Sequence, residues 1–263
     1  PSLFPLPASP LFRMSTPPSP VALIVGGSGG IGSAVTRTLI DRKWTVIITG
    51  RDAVRLQEIG SETGAETAIL DARDSAAVDA VVQSVHQRHG RLDGVVNCAG
   101  SILLKPAHLI TDAEFADTLA INLTTAFQVL RAAVRIQMRQ TGGGSVVLCS
   151  SVAAQRGLVH HEAIAAAKAG VEGLIRSAAA SYARYGVRVN GVAPGLTRTP
   201  LTAALTQNET VAKASAAMHP LGRIGTPEDI ASAITWLLDP AQGWVTGQVL
   251  GIDGGLGCVQ ARG

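Results

Sequence analysis

From Val21 onward the sequence alternates between short apolar runs and longer stretches with helical spacing, and this alternation limits the chain to very few folds. The apolar runs are Val21–Val25, Thr45–Thr49, Thr67–Leu70, Gly94–Asn97, Ser145–Cys149, Val187–Val192 and Gln248–Ile252. Between them the helical spacing predicts Ile31–Ile40, Ala53–Ile59, Ser75–His89, Asp112–Met138 and Glu162–Tyr185. A Thr226-Pro227-Glu228 start, with Thr as cap and Pro in the first turn, predicts one more helix through Leu238. Strands separated by helices of this length form parallel sheets, because each crossover returns along a face. The expectation is one α/β domain, residues 21–263: a doubly wound, mostly parallel seven-stranded sheet with helices on both faces.

Composition agrees. Hydrophobic residues are 46% of 263 and aromatics only 3%, so the apolar mass is Ala, Val, Leu and Ile, suited to buried strands under small-residue helices. Collagen-like, coiled-coil and disulfide-scaffold classes do not fit. A net charge of +3 without any run of Lys or Arg suits a small anionic ligand and gives no footprint for nucleic acid. The three cysteines, Cys98, Cys149 and Cys258, lack metal-ligand or disulfide-framework spacing and predict a reducing, cytoplasmic setting with no metal site. No apolar run is long enough to span a membrane. Residues 1–20 carry Pro1, Pro5, Pro7, Pro10, Pro17, Pro18 and Pro20 and read as a flexible tail, with Met14 a candidate start.

Between the first strand and first helix lie Gly26, Gly27, Gly29, Gly30 and Gly32, with Ser28 and Ile31 among them. Glycines there allow a tight turn, let backbone approach a pyrophosphate, and leave the anion at a helix N-terminus. The spacing Gly26-x3-Gly30-x-Gly32 resembles the short-chain dehydrogenase/reductase family. The resemblance continues to Gly255. Asn97-Cys98-Ala99-Gly100 resembles the family's Asn-Asn-Ala-Gly, with Cys98 a departure. Asp71, ending the third strand, and its neighbour Ala72 match the adenine contact. Asn122 matches the Asn of a water relay, Ser151 the catalytic Ser, and Lys168 the ribose-binding Lys. Pro194-Gly195 through Thr197 and Thr199 match the loop that holds the nicotinamide carboxamide. Arg223, Thr226–Ile230, Thr246-Gly247 and Asp253-Gly254-Gly255 complete the set. The family has a single-domain Rossmann fold and transfers hydride with a nicotinamide cofactor.

The cofactor is read at the end of the second strand. A carboxylate there would accept the 2′-OH of NAD; here Gly50 is followed by Arg51, whose planar fork suits the 2′-phosphate of NADP. NADP (NADPH) is therefore preferred to NAD. Asp52 is the residue that could instead pair with Arg51 and leave it a surface arginine.

The resemblance breaks at one point. The family's proton-donating Tyr stands four residues before the Lys, and that position is Ile164. Ser151 keeps its family spacing of thirteen residues from Ile164, so the frame is intact. Tyr182 and Tyr185 lie far down the same helix. The candidate substitutes are His160, His161 and Glu162. His161, seven residues before Lys168, resembles with His for Tyr the Tyr-x6-Lys arrangement of enoyl-thioester reductases in the same superfamily. Against this, all three could be loop or helix-start surface residues. His86, His89, His108 and His219 show no partner pattern and read as surface or packing residues.

The resemblance implies an NADP-dependent oxidoreductase acting on a carbonyl or activated C=C bond, with Asn122, Ser151, Lys168 and His161 as catalytic candidates. The alternative is a catalytically silent nucleotide-binding sensor or structural subunit, suggested by Ile164 itself. The segment between Thr199 and Leu221, with Ala203, Ala204, Leu205, Ala216, Ala217 and Met218, reads as a mobile apolar lid over a hydrophobic small-molecule substrate, or as a helix buried between subunits. Family members assemble through the long fourth and fifth helices, so a homotetramer or homodimer is expected.

Overall fold

The computed structural model describes residues 19–260. The Pro-rich tail and Met14 lie largely or wholly outside the described residues. Seven strands form one sheet: β1 (Val21–Val25), β2 (Thr45–Gly50), β3 (Glu66–Ile69), β4 (Gly94–Asn97), β5 (Gly144–Cys149), β6 (Val187–Pro194) and β7 (Val249–Ile252). Their order is β3-β2-β1-β4-β5-β6-β7. All six strand pairings are parallel, where a mostly parallel sheet was expected.

The helices that position the site are α1 (Gly30–Asp41), α2 (Ala53–Thr63), α3 (Ser75–His89), α4 (Asp112–Leu119), α5 (Thr125–Gln137), α6 (Glu162–Tyr182), α7 (Ala203–Thr206), α8 (Glu209–Met218) and α9 (Pro227–Leu238). Alternate residues of β1 sort the chain into two cores, as strand geometry requires. Val21, Leu23 and Val25 face Val78, Val82 and Val85 of α3 together with α5 and α6. Ala22 and Ile24 face Val35 and Leu39 of α1, Leu56 of α2, and Ile230, Ile234 and Leu237 of α9. Both sheet faces are therefore dry, which explains why β1 and the middles of β4 and β5 read as unbroken apolar runs.

Three sequence expectations shift. The stretch 112–138 is two helices joined by a π turn at Ala120–Thr124. Asp71 does not end the third strand; β3 stops at Ile69, and Asp71 sits just beyond it in a turn held by its own carbonyl and Asp74 N–H. The helix from Glu162 ends at Tyr182 and tightens into a short 3-10 turn before Gly186. No helix among the described residues is long and apolar enough to cross a membrane.

Candidate active site

The sheet order reverses between β1 and β4, and the carboxyl ends of these strands open on a cleft, where doubly wound sheets bind ligands. Gly26, at φ +78, starts the turn after β1; its N–H and that of Gly27 both donate to the Thr49 carbonyl. A Cβ on Gly32 would sit 2.3 Å from the Gly26 oxygen, so this glycine lets the turn close against α1. α1 has Gly29 as N-cap and no side-chain cap, and its first internal bond runs from Ser33 to Gly29. The amides of Gly30, Ile31 and Gly32 are thus left at a positive helix end. They line a cavity of about 270 Å³ with Ser28, Arg51, Asp71, Ala72, Arg73, Ala99 and Gly100.

Arg51 is exposed and makes no hydrogen bond or ion pair among the described residues. Asp52, its potential competitor, instead caps α2 by accepting the Arg55 N–H at 3.0 Å. A second guanidinium at this end was not foreseen: Arg73 donates to Asp71, with a closest contact of 2.6 Å. Arg73 holds the Asp71 carboxyl down to about 2, so Asp71 is an anion whose charge offsets that of Arg73.

A second cavity of about 630 Å³ shares Ile31, Cys98, Ala99, Gly100, Thr199 and Leu201 with the first. The two form one continuous cleft. Ser151, Asn122, His161, Ile164 and Lys168 all line the larger part. Lys168, buried on α6, donates to the Cys149 carbonyl at 2.9 Å, and burial pulls its ammonium down from its ordinary value. Ser151 follows β5; its Oγ accepts the Ala153 N–H at 3.2 Å. Beneath it, buried Ser150 donates to Glu172 at 3.0 Å, and Gln155 donates to both oxygens of the same carboxylate.

Asn122 lies in the π turn, a helix irregularity common at functional sites. Its Oδ1 accepts the Ser101 N–H, and its Nδ2 donates to the Ser101 hydroxyl and the Thr118 carbonyl. Ile164 is buried at 4% exposure and presents hydrocarbon to the cavity. Of the three substitute donors only His161 lines it. His161 is the N-cap of α6, and its Nδ1 lies 2.7 Å from the Val159 carbonyl. Glu162 accepts the Ala107 N–H at 3.4 Å, and His160, at φ +64, gives its carbonyl to Lys105 N–H. Both serve the adjoining loop.

The remaining candidates divide. Pro194, Gly195, Thr197 and Thr199 lie along the larger cavity, and Thr199 meets the glycine turn: a Cβ on Gly30 would touch its side chain at 2.9 Å. Asn97 lines neither cavity; its buried side chain accepts the Ala99 N–H and shapes the turn after β4. Arg223 is tied to Asp229 of α9 at 2.6 Å, and Thr226 caps that helix.

The segment after Thr199 folds as α7 and α8, whose Leu205, Val211 and Met218 cover the cavity beside Leu201. Of the two readings left open for His219, surface or packing, the structure shows packing. His219 is buried and lines the cavity. Its Nε2 accepts the Leu196 N–H at 3.3 Å and its Nδ1 faces the Ser215 carbonyl at 2.6 Å, tying α8 to the 194–199 loop. A lone His after a helix carries no such signal; only the contact reveals it.

A family model described as enoyl-(acyl carrier protein) reductase matches residues 26–257. The chain is 34% identical over 239 residues to 3-oxoacyl-[acyl-carrier-protein] reductase FabG of Vibrio harveyi, covering 90% of this chain and 96% of the relative. A short-chain type dehydrogenase/reductase from Mycobacterium ulcerans has a solved structure that superposes with a TM-score of 0.85 at 35% identity, covering 91% of this chain and 90% of that one. An actinorhodin polyketide ketoreductase solved with NADPH superposes with a TM-score of 0.87 at 29% identity, covering 92% and 98%.

Proposed function

The chain belongs to the short-chain dehydrogenase/reductase family of oxidoreductases, and we propose that it is an NADP-dependent member that reduces a carbonyl or activated C=C bond with a substitute proton donor. The observation that carries this reading is the continuous cleft, which joins bare helix amides and an unpaired arginine at one end to Ser151, Lys168 and His161 at the other. These residues fit a nicotinamide dinucleotide. When bound, that cofactor supplies the hydride.

In this reading the amides of Gly30, Ile31 and Gly32 take the pyrophosphate, helped by Gly26 and Ser28. Asp71 and Ala72 flank the adenine, and Ala99 and Gly100 line the path between the two cavities. Arg51 meets the 2′-phosphate, and NADPH in the related ketoreductase supports the same choice here. Lys168 holds the ribose, while Pro194, Gly195, Thr197 and Thr199 hold the carboxamide. Ser151 hydrogen-bonds the substrate oxygen, and Asn122 fixes the wall beside Ser101.

His161 moves the proton. With Nδ1–H given to the Val159 carbonyl, Nε2 of the neutral ring is a lone pair, so it donates only as the imidazolium. Reduction then requires the protonated ring, and the reverse oxidation uses the neutral ring as base. The lining aliphatics, among them Ile102, Leu104, Leu158, Leu196, Leu205 and Met218, favour an apolar substrate.

Consumption of NADPH with a panel of apolar ketones and enones tests the reading. Saturable turnover that Lys168→Ala removes is expected. Tight NADPH binding without turnover would favour the silent sensor, the reading to which the apolar Ile164 position points.

Assembly as a homotetramer or homodimer belongs to the same proposal. Phe115 of α4 and Phe127 of α5 are exposed, and α6 exposes Ala166, Ala169 and Ala180, small enough for close helix contact.

A further inference from the structure

Two of the three cysteines, 51 residues apart in sequence, meet at the floor of the larger cavity. β4 and β5 are adjacent and parallel, with Asn97 opposite Leu148. One residue further along each strand are Cys98 and Cys149, whose Sγ atoms lie 3.7 Å apart. Neighbouring strands are about 4.8 Å apart, within the Cα separation of roughly 4.4–6.8 Å that a disulfide spans. Both side chains are half-buried; they pack against the core on one side and line the cavity on the other.

From this juxtaposition we propose that Cys98 and Cys149 form a reversible redox site, which a small hydroperoxide entering the cavity converts to an intramolecular disulfide. The thiol that reacts first is Cys149. Burial pushes both thiols up and the Lys168 ammonium pulls both down, and Cys149 is the one whose own carbonyl holds that ammonium, at 2.9 Å. A thiolate is the reactive form, so the two sulfurs have unequal roles.

The Cys149 thiolate attacks one peroxide oxygen and the O–O bond breaks. This leaves a sulfenic acid on Cys149 and releases the alcohol, or water from hydrogen peroxide, after protonation. Cys98 then attacks the Cys149 sulfur, loses its proton and expels water. Two thiols have given two electrons to one peroxide, and an S–S bond replaces the O–O bond. The carbonyl of Cys149 is the acceptor for Lys168 Nζ, so the new bond pulls on the residue that anchors Lys168. Nothing in the step depends on the proposed oxidoreductase activity. Reductive thiol exchange returns both thiols.

The test uses the full chain carrying Cys258→Ser, which removes the exposed third thiol and with it links between chains. The protein is treated with hydrogen peroxide, blocked with an alkylating reagent, digested and mapped by mass spectrometry. The expected result is one linked peptide pair joining Cys98 to Cys149, with both free thiols lost together and both restored by dithiothreitol. The wild-type chain supplies the control, since its exposed Cys258 reports that the peroxide was effective. Two thiols still reduced under conditions that oxidise Cys258 would overturn the proposal. So would separate sulfinic acids at the two positions with no linked peptide. Either result leaves the proposed hydride transfer untouched, because no turnover is read.

Discussion

Arg51→Ala is the sharpest perturbation of cofactor choice. Arg51 is exposed and unpaired, and Asp52 is occupied as the cap of α2, so no intramolecular partner must be given up on binding. Arg73 is hydrogen-bonded to Asp71, and Arg51 interacts with that carboxylate only through space, which leaves Arg51 as the arginine of this end with no hydrogen-bonded carboxylate. A hydrogen bond to a charged group contributes about 1.5–3 kcal/mol, and solvent exposure places this one at about 1.5–2. At about 1.4 kcal/mol per factor of ten, NADPH should bind roughly 10- to 30-fold more weakly. NADH has no 2′-phosphate and should change by less than about twofold, within the few tenths of a kcal/mol usual for a surface substitution. Fluorescence titration of both reduced cofactors measures the pair of constants, and the NADPH effect should shrink as salt is raised. Equal weakening of both cofactors, or no change in either, would refute the role given to Arg51.

Other outcomes follow from the same site. His161→Phe should lower turnover by about 10²-fold or more while NADPH affinity stays nearly constant, as measured by steady-state kinetics beside a binding titration. Ile164→Tyr places a phenol one helical turn from Lys168, whose charge favours phenolate, so ketone reduction should rise in an NADPH-consumption assay. Light scattering at micromolar concentration should give a dimer or tetramer mass; a monomer would remove the interface assigned to α4, α5 and α6.

Much of the fold was legible because a buried parallel sheet writes itself as short apolar runs, and β1, β4 and α3 appear with the bounds their patterns predicted. The π turn at Asn122 was not, because a single extra residue among the small and polar side chains of Thr118, Asn122, Thr124 and Thr125 gives no break that a helical pattern can register. The candidate site was legible where glycines and polar residues sit at strand ends. The meeting of Cys98 with Cys149 depends on the register of two neighbouring strands, and the sequence leaves that register unwritten. The one trace of the pair in the sequence is that each Cys directly follows or closes an apolar run. His219 and Arg73 act through partners supplied by other segments or a turn, Leu196 and Ser215 for the first and Asp71 for the second. Their roles therefore appear only after folding.

The most direct measurement follows the hydride itself. NADPH carrying deuterium at the transferring position of nicotinamide C4 is incubated with the protein and an apolar ketone or enone that is turned over, and the product is analysed by mass spectrometry. Hydride transfer in this cleft predicts deuterium on the reduced carbon of the product, and none when Lys168→Ala replaces the wild type. Bound NADPH that yields no deuterated product from any member of the substrate panel would contradict it.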